Sequence, residues 1–459
     1  MKTENGTTDT NPLGKATSID FFNFSTPQMR AFHMSWIAFF LCFFAWFGIS
    51  PLMAVVRDEL ALTEAQIGNI GIAAVATTAL ARPVLGSICD WIGPRRAYSG
   101  LLIIASFPVM GIGLATSYET FLICRLLIGF IGASFVITQY HSSKMFASNA
   151  VGTANAITAG WGNLGGGATQ AIMPLIFGAF LAMGLGDFWS WRLSMVVAGL
   201  VCLLTGVAYY AFTQDTPQGD YKELREEGYE GLTSTDSATD SFVTAMKDYR
   251  VWILTILYGG SFGIELTMNN FLALYFTDYF SQSLAMAGVL AGSFGFMNIF
   301  ARPMGGWISD KFAVNYGLRG RVLWLCGAMV LEGLFMMTFA QMDTLLLAAT
   351  MLVPFSIMVM AAEGAMYSVV PFVNRKAMGS VAGMVGAGGT AGAGAAGFLF
   401  KGAFDWDFAF FLLGGIVTVG AFLALFVTFS DEYEAEINES LENAQAQEDE
   451  RKATAAAAA

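Results

Sequence analysis

Two arginines stand deep inside apolar runs of this chain, Arg82 in "ALARPVLGSICDW" and Arg302 in "IFARPMGGWISDK". On insertion scales a charged side chain at the centre of a membrane helix costs about 2.5–3.5 kcal/mol, so a residue of this kind is kept for a partner or a task. Both arginines open the same pattern, A-R-P-x-x-G-x-x-x-D, and the two copies lie 220 residues apart. Neither has a carboxylate one helical turn away on its own face to neutralise it. Arginine carries a planar, permanently charged fork that donates parallel hydrogen bonds. Two such forks facing each other across a low-dielectric cavity form an anion trap.

The elements that must hold them are membrane helices. Of 459 residues, 55% are hydrophobic and only 13% charged, with repeated apolar runs long enough to cross a bilayer. Hydropathy predicts twelve spans, at 33–57, 66–89, 98–116, 119–142, 151–184, 192–212, 250–275, 284–309, 321–341, 344–370, 379–402 and 407–430. A second internal match supports a duplication. "GTANAITAGWGNLGGG" from Gly152 aligns with "GSVAGMVGAGGTAGAG" from Gly379 at an offset of 227, so that Gly162 meets Gly389, Gly165 meets Gly392 and Asn163 meets Thr390. The expected fold is therefore all-α: twelve transmembrane helices in two six-helix repeats, related by an axis along the membrane normal. Its expected parts are an N-terminal tail (1–32), a first bundle (33–212), an acidic linker (213–249), a second bundle (250–430) and an acidic tail (431–459).

The formal net charge of −12 reports on the linker and tail rather than on any partner. Residues 215–249 hold nine acidic and three basic residues, residues 431–459 nine acidic and two basic, and the remainder is close to neutral. Arg95, Arg96, Lys144, Lys311, Arg319, Arg321, Arg375 and Lys376 crowd the loops on one side. By the positive-inside rule both termini and the linker are expected in the cytoplasm. Sequons at Asn5, Asn23 and Asn438 fall on that side and are expected to be unmodified. Cys42, Cys89, Cys124, Cys202 and Cys326 lie in or beside spans, with neither a disulfide framework nor metal spacing. No phosphate-binding loop, cofactor motif or nucleophile–base–metal constellation is present, and no nucleic-acid partner is implied. An enzyme is not expected.

Specific motifs then carry a resemblance over essentially the whole chain. Gly86, Asp90, Gly93 and Arg95 resemble the loop signature of the major facilitator superfamily, which tethers neighbouring helix ends. "AGWGNLGGGATQ" and "GMVGAGGTAGA" resemble the two signatures of its nitrate/nitrite porter family. "SFVITQYHSSKMF" and "AAEGAMYSVVPFVNR" are similar to the plant and algal high-affinity nitrate transporter branch. One departure is Thr390, where the second signature usually has asparagine. The resemblance implies alternating-access transport of nitrate at the plasma membrane; nitrite shares the charge and planarity, so the sequence separates the two anions poorly. It implies Arg82 and Arg302 as the anion clamp, Asn163 and Tyr258 as polar contacts, and Phe43, Phe135 and Phe262 as apolar walls. A small accessory membrane protein is the partner that some plant relatives require. Gly162 and Gly165 are expected to bring the fifth helix close to the anion or to let helices 5 and 8 rock past one another.

An anion accumulates against a negative interior at about 2.3 kcal/mol per charge per 100 mV, so a driving force is needed. The branch implies proton symport. The titratable candidates are His141, whose ordinary range is nearest the working pH, and Glu265 and Glu363, with Glu332 a poorer one. Exchange of nitrate with nitrite or another small anion, and a nitrate receptor without flux, stay open on the sequence.

Overall fold

The computed structural model describes residues 10, 14–146, 150–228, 238–374, 377–402, 404–435 and 437; Asn5, Asn438, Arg375, Lys376 and nearly all of the 431–459 tail lie outside them. Among the described residues the chain forms twelve long helices and two short helices in the linker. The first half holds α1 (Pro27–Leu60), α2 (Glu64–Ile92), α3 (Pro94–Leu114), α4 (Tyr118–Met145), α5 (Val151–Ala182) and α6 (Asp187–Phe212). The second holds α7 (Tyr249–Asp278), α8 (284–316), α9 (318–339), α10 (Leu345–Val373), α11 (Met378–Ala396) and α12 (Trp406–Phe426). Large apolar side chains face outward, Leu114 at 84% and Leu346 at 77% exposure, as a lipid-facing surface requires.

Local signals fix where the helices begin. Pro27 sits at the first turn of α1 behind an N-cap, Thr26, whose hydroxyl accepts the Met29 N–H at 3.4 Å. That cap starts α1 six residues before the first apolar run predicts. α2 starts on a capping box: the Thr63 hydroxyl accepts the Gln66 N–H at 3.3 Å, and the Gln66 side chain accepts the Thr63 N–H at 2.9 Å. With its start fixed, the helix presents Arg82, eighteen residues on, to the interior. Two links are tighter than any predicted loop. α2 passes to α3 through Gly93 at φ +85°, and α8 passes to α9 through Gly317 at φ +61°. Both are backbone conformations that only glycine adopts readily.

The glycine signatures pack each half upon itself. Gly162 faces the Phe39 ring and Gly165 the Phe40 carbonyl of α1, while Gly389 faces the Phe262 ring and Gly392 the Gly259 backbone of α7. This corrects the expectation that Gly162 and Gly165 serve an α5–α8 contact. The α5–α8 crossing is made one residue pair further on, where a side chain on Gly167 would come within 2.8 Å of Gly295 Cα. Other contacts join the halves at the same end, away from the linker. Arg57 Nη1 donates to both oxygens of Asp278, at 2.7 and 2.6 Å. Gln170 Nε2 donates to the Asn269 carbonyl at 2.6 Å, and Arg125 Nη2 to Asn270 Oδ1 at 3.1 Å.

At the linker end, buried Asp215 closes the α2–α3 turn: its carboxylate accepts the N–H groups of Arg95 at 2.8 Å and Tyr221 at 2.9 Å. Burial pushes the carboxyl up to about 6 from 3.8, with those N–H groups opposing the rise and Asp220 adding to it. The folded state thus binds this proton more tightly than the unfolded chain. The sign follows: stability contributed here falls as pH rises from about 4 to about 6, then levels off. Asp215→Asn should flatten that slope, so its melting temperature should change less than the wild type's between about pH 4.5 and 6.5. An unchanged slope would remove Asp215 as its source.

Candidate anion-binding site

A small cavity at mid-depth lies between the halves, where α2 and α8 face each other with α1, α4, α5, α7, α10 and α11 around them. Arg82 and Arg302 line it from opposite halves. Asn163 and Tyr258 add polar edges, and Phe43, Phe135 and Phe262 add rings, so all seven residues named from the sequence meet in one place. Phe39, Tyr367 and Gly386 complete the lining. The sequence held hints of these three: Phe39 lies one helical turn before Phe43, and the other two fall inside "AAEGAMYSVVPFVNR" and "GMVGAGGTAGA". The cavity is small, with about 10 Å³ open to the centre of a water-sized sphere. That is about the space one water molecule needs.

The walls are aromatic and ordered. Phe39 meets Phe43 edge-on at 4.7 Å and Phe135 at 5.8 Å. Tyr258 stacks on Phe262 at 5.1 Å with an 8° interplanar angle and meets Tyr367 edge-on at 5.3 Å. Such walls exclude water, which strengthens each remaining hydrogen bond and penalises ions that need a full hydration shell. Buried Asn163 leaves Oδ1 without a partner. Its counterpart Thr390 is also buried, but its hydroxyl donates to Ala387 O in its own helix at 2.9 Å and it does not line the cavity. The departure from the usual asparagine therefore leaves the second half without an equivalent amide at the cavity.

The two arginines are placed alike and paired differently. Arg82 donates through Nη1 to the Gly386 carbonyl across the gap between the halves, and its guanidinium lies 5.9 Å from the centre of the Phe135 ring. Arg302 donates through Nη2 to the Tyr258 hydroxyl at 2.9 Å. Its Nη1 lies 2.8 Å from Glu363 Oε2 and 4.0 Å from Glu265 Oε2, both glutamates being fully buried. Asn298 Nδ2 donates to Glu265 Oε1 at 2.8 Å.

The proton candidates separate accordingly. Glu363 and Glu265 adjoin Arg302, and Glu332 is buried on α9 of the same half. His141 stands apart from the cavity lining, fully buried between α4 and the end of α6. Its Nε2 faces the Gln214 carbonyl at 2.8 Å and must donate there, which leaves Nδ1 to accept from the Tyr209 hydroxyl at 2.5 Å. One ring nitrogen thus ties α4 to α6 and the other ties α4 to the linker just beyond it.

Known proteins resemble the chain at both levels. The Major Facilitator Superfamily model matches residues 35–374. High affinity nitrate transporter 2.5 of Arabidopsis thaliana is 41% identical over 379 residues, covering 83% of this chain and 75% of its own. Nitrate transporter 2.1 of Chlamydomonas reinhardtii is 38% identical over 421 residues, covering 90% and 77%. The nitrate/nitrite transporter NrtP of Picosynechococcus sp. is 31% identical, covering 80% and 83%. Among solved structures, a bacterial homologue of the human lysosomal transporter Spinster, inward-facing and occupied, superposes with a TM-score of 0.68 at 16% identity, over 87% of this chain and 96% of that one. That last likeness concerns the fold alone. With the twelve-helix architecture, both glycine signatures and relatives above 30% identity over most of its length, the chain belongs to the major facilitator superfamily, in the branch of the high-affinity nitrate transporters.

Proposed function

We propose that this chain carries nitrate, and nitrite as a second substrate, across the plasma membrane into the cell by alternating access and in symport with protons. The substrate follows from the family: the plant and algal relatives are nitrate transporters and the cyanobacterial one a nitrate/nitrite transporter. The observation that carries the clamp is the facing pair of Arg82 and Arg302 in one small, aromatic-walled cavity between the halves. A planar monovalent anion matches that chemistry. Its in-plane oxygens accept paired N–H donors, its faces lie against rings, and it gives up hydration more readily than phosphate or sulfate. Asn163 would add an amide donor or acceptor at the edge.

The positive-inside pattern supports a cytoplasmic linker and termini, which makes the Arg57–Asp278 end extracellular. Closure at that end, over a mid-depth site, is one phase of alternating access. A negative cell interior opposes anion entry, and a co-moving proton offsets that cost.

The test is nitrate uptake into proteoliposomes of the purified chain. An inward proton gradient should drive accumulation, and dissipating it should leave only equilibration. Uptake that ignores pH and requires internal anion would make the protein an exchanger. Nitrate binding with no flux would make it a receptor.

A further inference from the structure

The repeat makes Arg82 and Arg302 equivalent by position, yet their surroundings are not. Arg82 meets neutral groups, the Gly386 carbonyl and the Phe135 ring. Arg302 is already engaged by Glu363 at 2.8 Å. Glu265 Oε2 lies 4.0 Å from the same Arg302 nitrogen, so two buried carboxyls share one guanidinium. The remaining charged or titratable groups facing this cluster are Tyr258 on α7, Tyr367 on α10 and Glu332 on α9. One guanidinium offsets only one carboxylate of such a pair. An anion entering the cavity therefore finds half of its clamp occupied by a competing anion of the protein.

We propose that Glu363 is the proton-binding group of the transport cycle and that it acts by competing with nitrate for Arg302. Ionised, Glu363 occupies the Arg302 fork; protonated, it releases the fork to close on the anion opposite Arg82. The proton comes from water on the entry side, resides on a Glu363 oxygen and leaves to water on the exit side, with no bond to nitrate formed or broken. This rests on the symport reading and names the group that carries the proton in it. Glu265 is the less suited partner, since it lies 4.0 Å from Arg302 and one of its oxygens is bound by Asn298. Reciprocity follows: nitrate and proton must strengthen each other's binding by the same factor. Leak is suppressed in both directions of coupling. An empty carrier holds a neutral Arg302–Glu363 pair, and an anion without a proton sits beside an ionised carboxylate.

The experiment uses the purified full-length protein with nitrate as the probe. Above the titration of the coupling carboxyl, wild-type affinity should fall about tenfold per pH unit, and nitrate binding in weakly buffered solution should take up protons. Glu363→Gln should bind nitrate with an affinity independent of pH, take up no proton, continue to exchange nitrate across liposomes and fail to accumulate it under a proton gradient. Glu265→Gln should retain the wild-type slope. A Glu363→Gln protein with the wild-type slope and proton uptake overturns the proposal, as does loss of both in Glu265→Gln alone. A second readout needs no variant: the infrared difference spectrum of the wild type on adding nitrate should gain a protonated-carboxyl band, and its absence overturns the proposal too. If wild-type liposomes show no proton-driven uptake, the symport reading itself has failed. If they do, and Glu363→Gln follows the same pH profile, only the assignment to Glu363 has failed.

Discussion

Arg82→Lys and Arg302→Lys should each lower nitrate uptake by about 100-fold or more in protein that reaches the membrane with a near-normal melting temperature. Charge is conserved in both, so the loss isolates geometry. The Arg82 guanidinium bonds the Gly386 carbonyl of the other half through one nitrogen and keeps further N–H groups for an anion. An ammonium is a point charge on a flexible stem and does not span both. Arg302 likewise bonds the Tyr258 hydroxyl through Nη2 while its Nη1 is ion-paired with Glu363, an arrangement that a single ammonium does not reproduce. A hydrogen bond to a charged group contributes about 1.5–3 kcal/mol, so losing a paired contact is enough for a hundredfold effect. Uptake of labelled nitrate in cells or liposomes measures it. Near-normal uptake by either lysine variant would rule out the clamp.

Gly295→Leu should lower uptake by a similar factor for a different reason. Gly167 and Gly295 meet backbone to backbone where α5 crosses α8, and a Cβ on Gly167 already comes within 2.8 Å of Gly295 Cα. Four added heavy atoms at Gly295 have nowhere to go while this end is closed, and overpacking of this kind costs about 1–3 kcal/mol or more. The penalty applies only to the state closed at the Arg57–Asp278 end, so the carrier is biased toward the state open there. Nitrate should still bind to detergent-solubilised Gly295→Leu within about threefold of wild type, while transport is lost. Gly162→Leu makes the contrast, since its neighbour is the Phe39 ring of the same half and the same cavity. That change should weaken binding itself. Normal transport by Gly295→Leu would show that the α5–α8 crossing does not tighten during the cycle.

How much of this was readable without coordinates depends on the kind of signal. Apolar runs and internal repetition are one-dimensional, so the helices and the meeting of Arg82 with Arg302 could be anticipated from spacing. The family motifs added Asn163, Tyr258 and the phenylalanines. The glycine contacts were legible as close approaches but not by partner. Gly162 and Gly165 turn to α1, and Gly167, two residues on, turns to α8, a difference of helix face that no motif encodes. The pairing of Arg302 with Glu363 was equally hidden. The two lie on different helices 61 positions apart, and the repeat predicted equal arginines where the surroundings make them unequal. His141 looked suited to titration by residue type, yet its two hydrogen bonds, to Tyr209 of α6 and to the Gln214 carbonyl of the linker, are visible only in space.

The glycine links at Gly93 and Gly317 have a mechanical consequence. Each joins two helices with almost no intervening loop, so α2 with α3, and α8 with α9, behave as stiff elbows rather than hinged rods. For a half that tilts about the depth of the arginines, the two ends of α2 are lever arms of unequal length. Along α2 the arm from Arg82 to the end at Glu64 spans about 27 Å, and the arm to Ile92 about 15 Å, at 1.5 Å of rise per residue. Rotation that parts the longer arm by about 3 Å moves the shorter one by under about 2 Å, by proportion of the two lengths. Distance probes near Arg57 and Asp278 should therefore swing further during a cycle than probes near the Arg95 tether, although one rotation moves both.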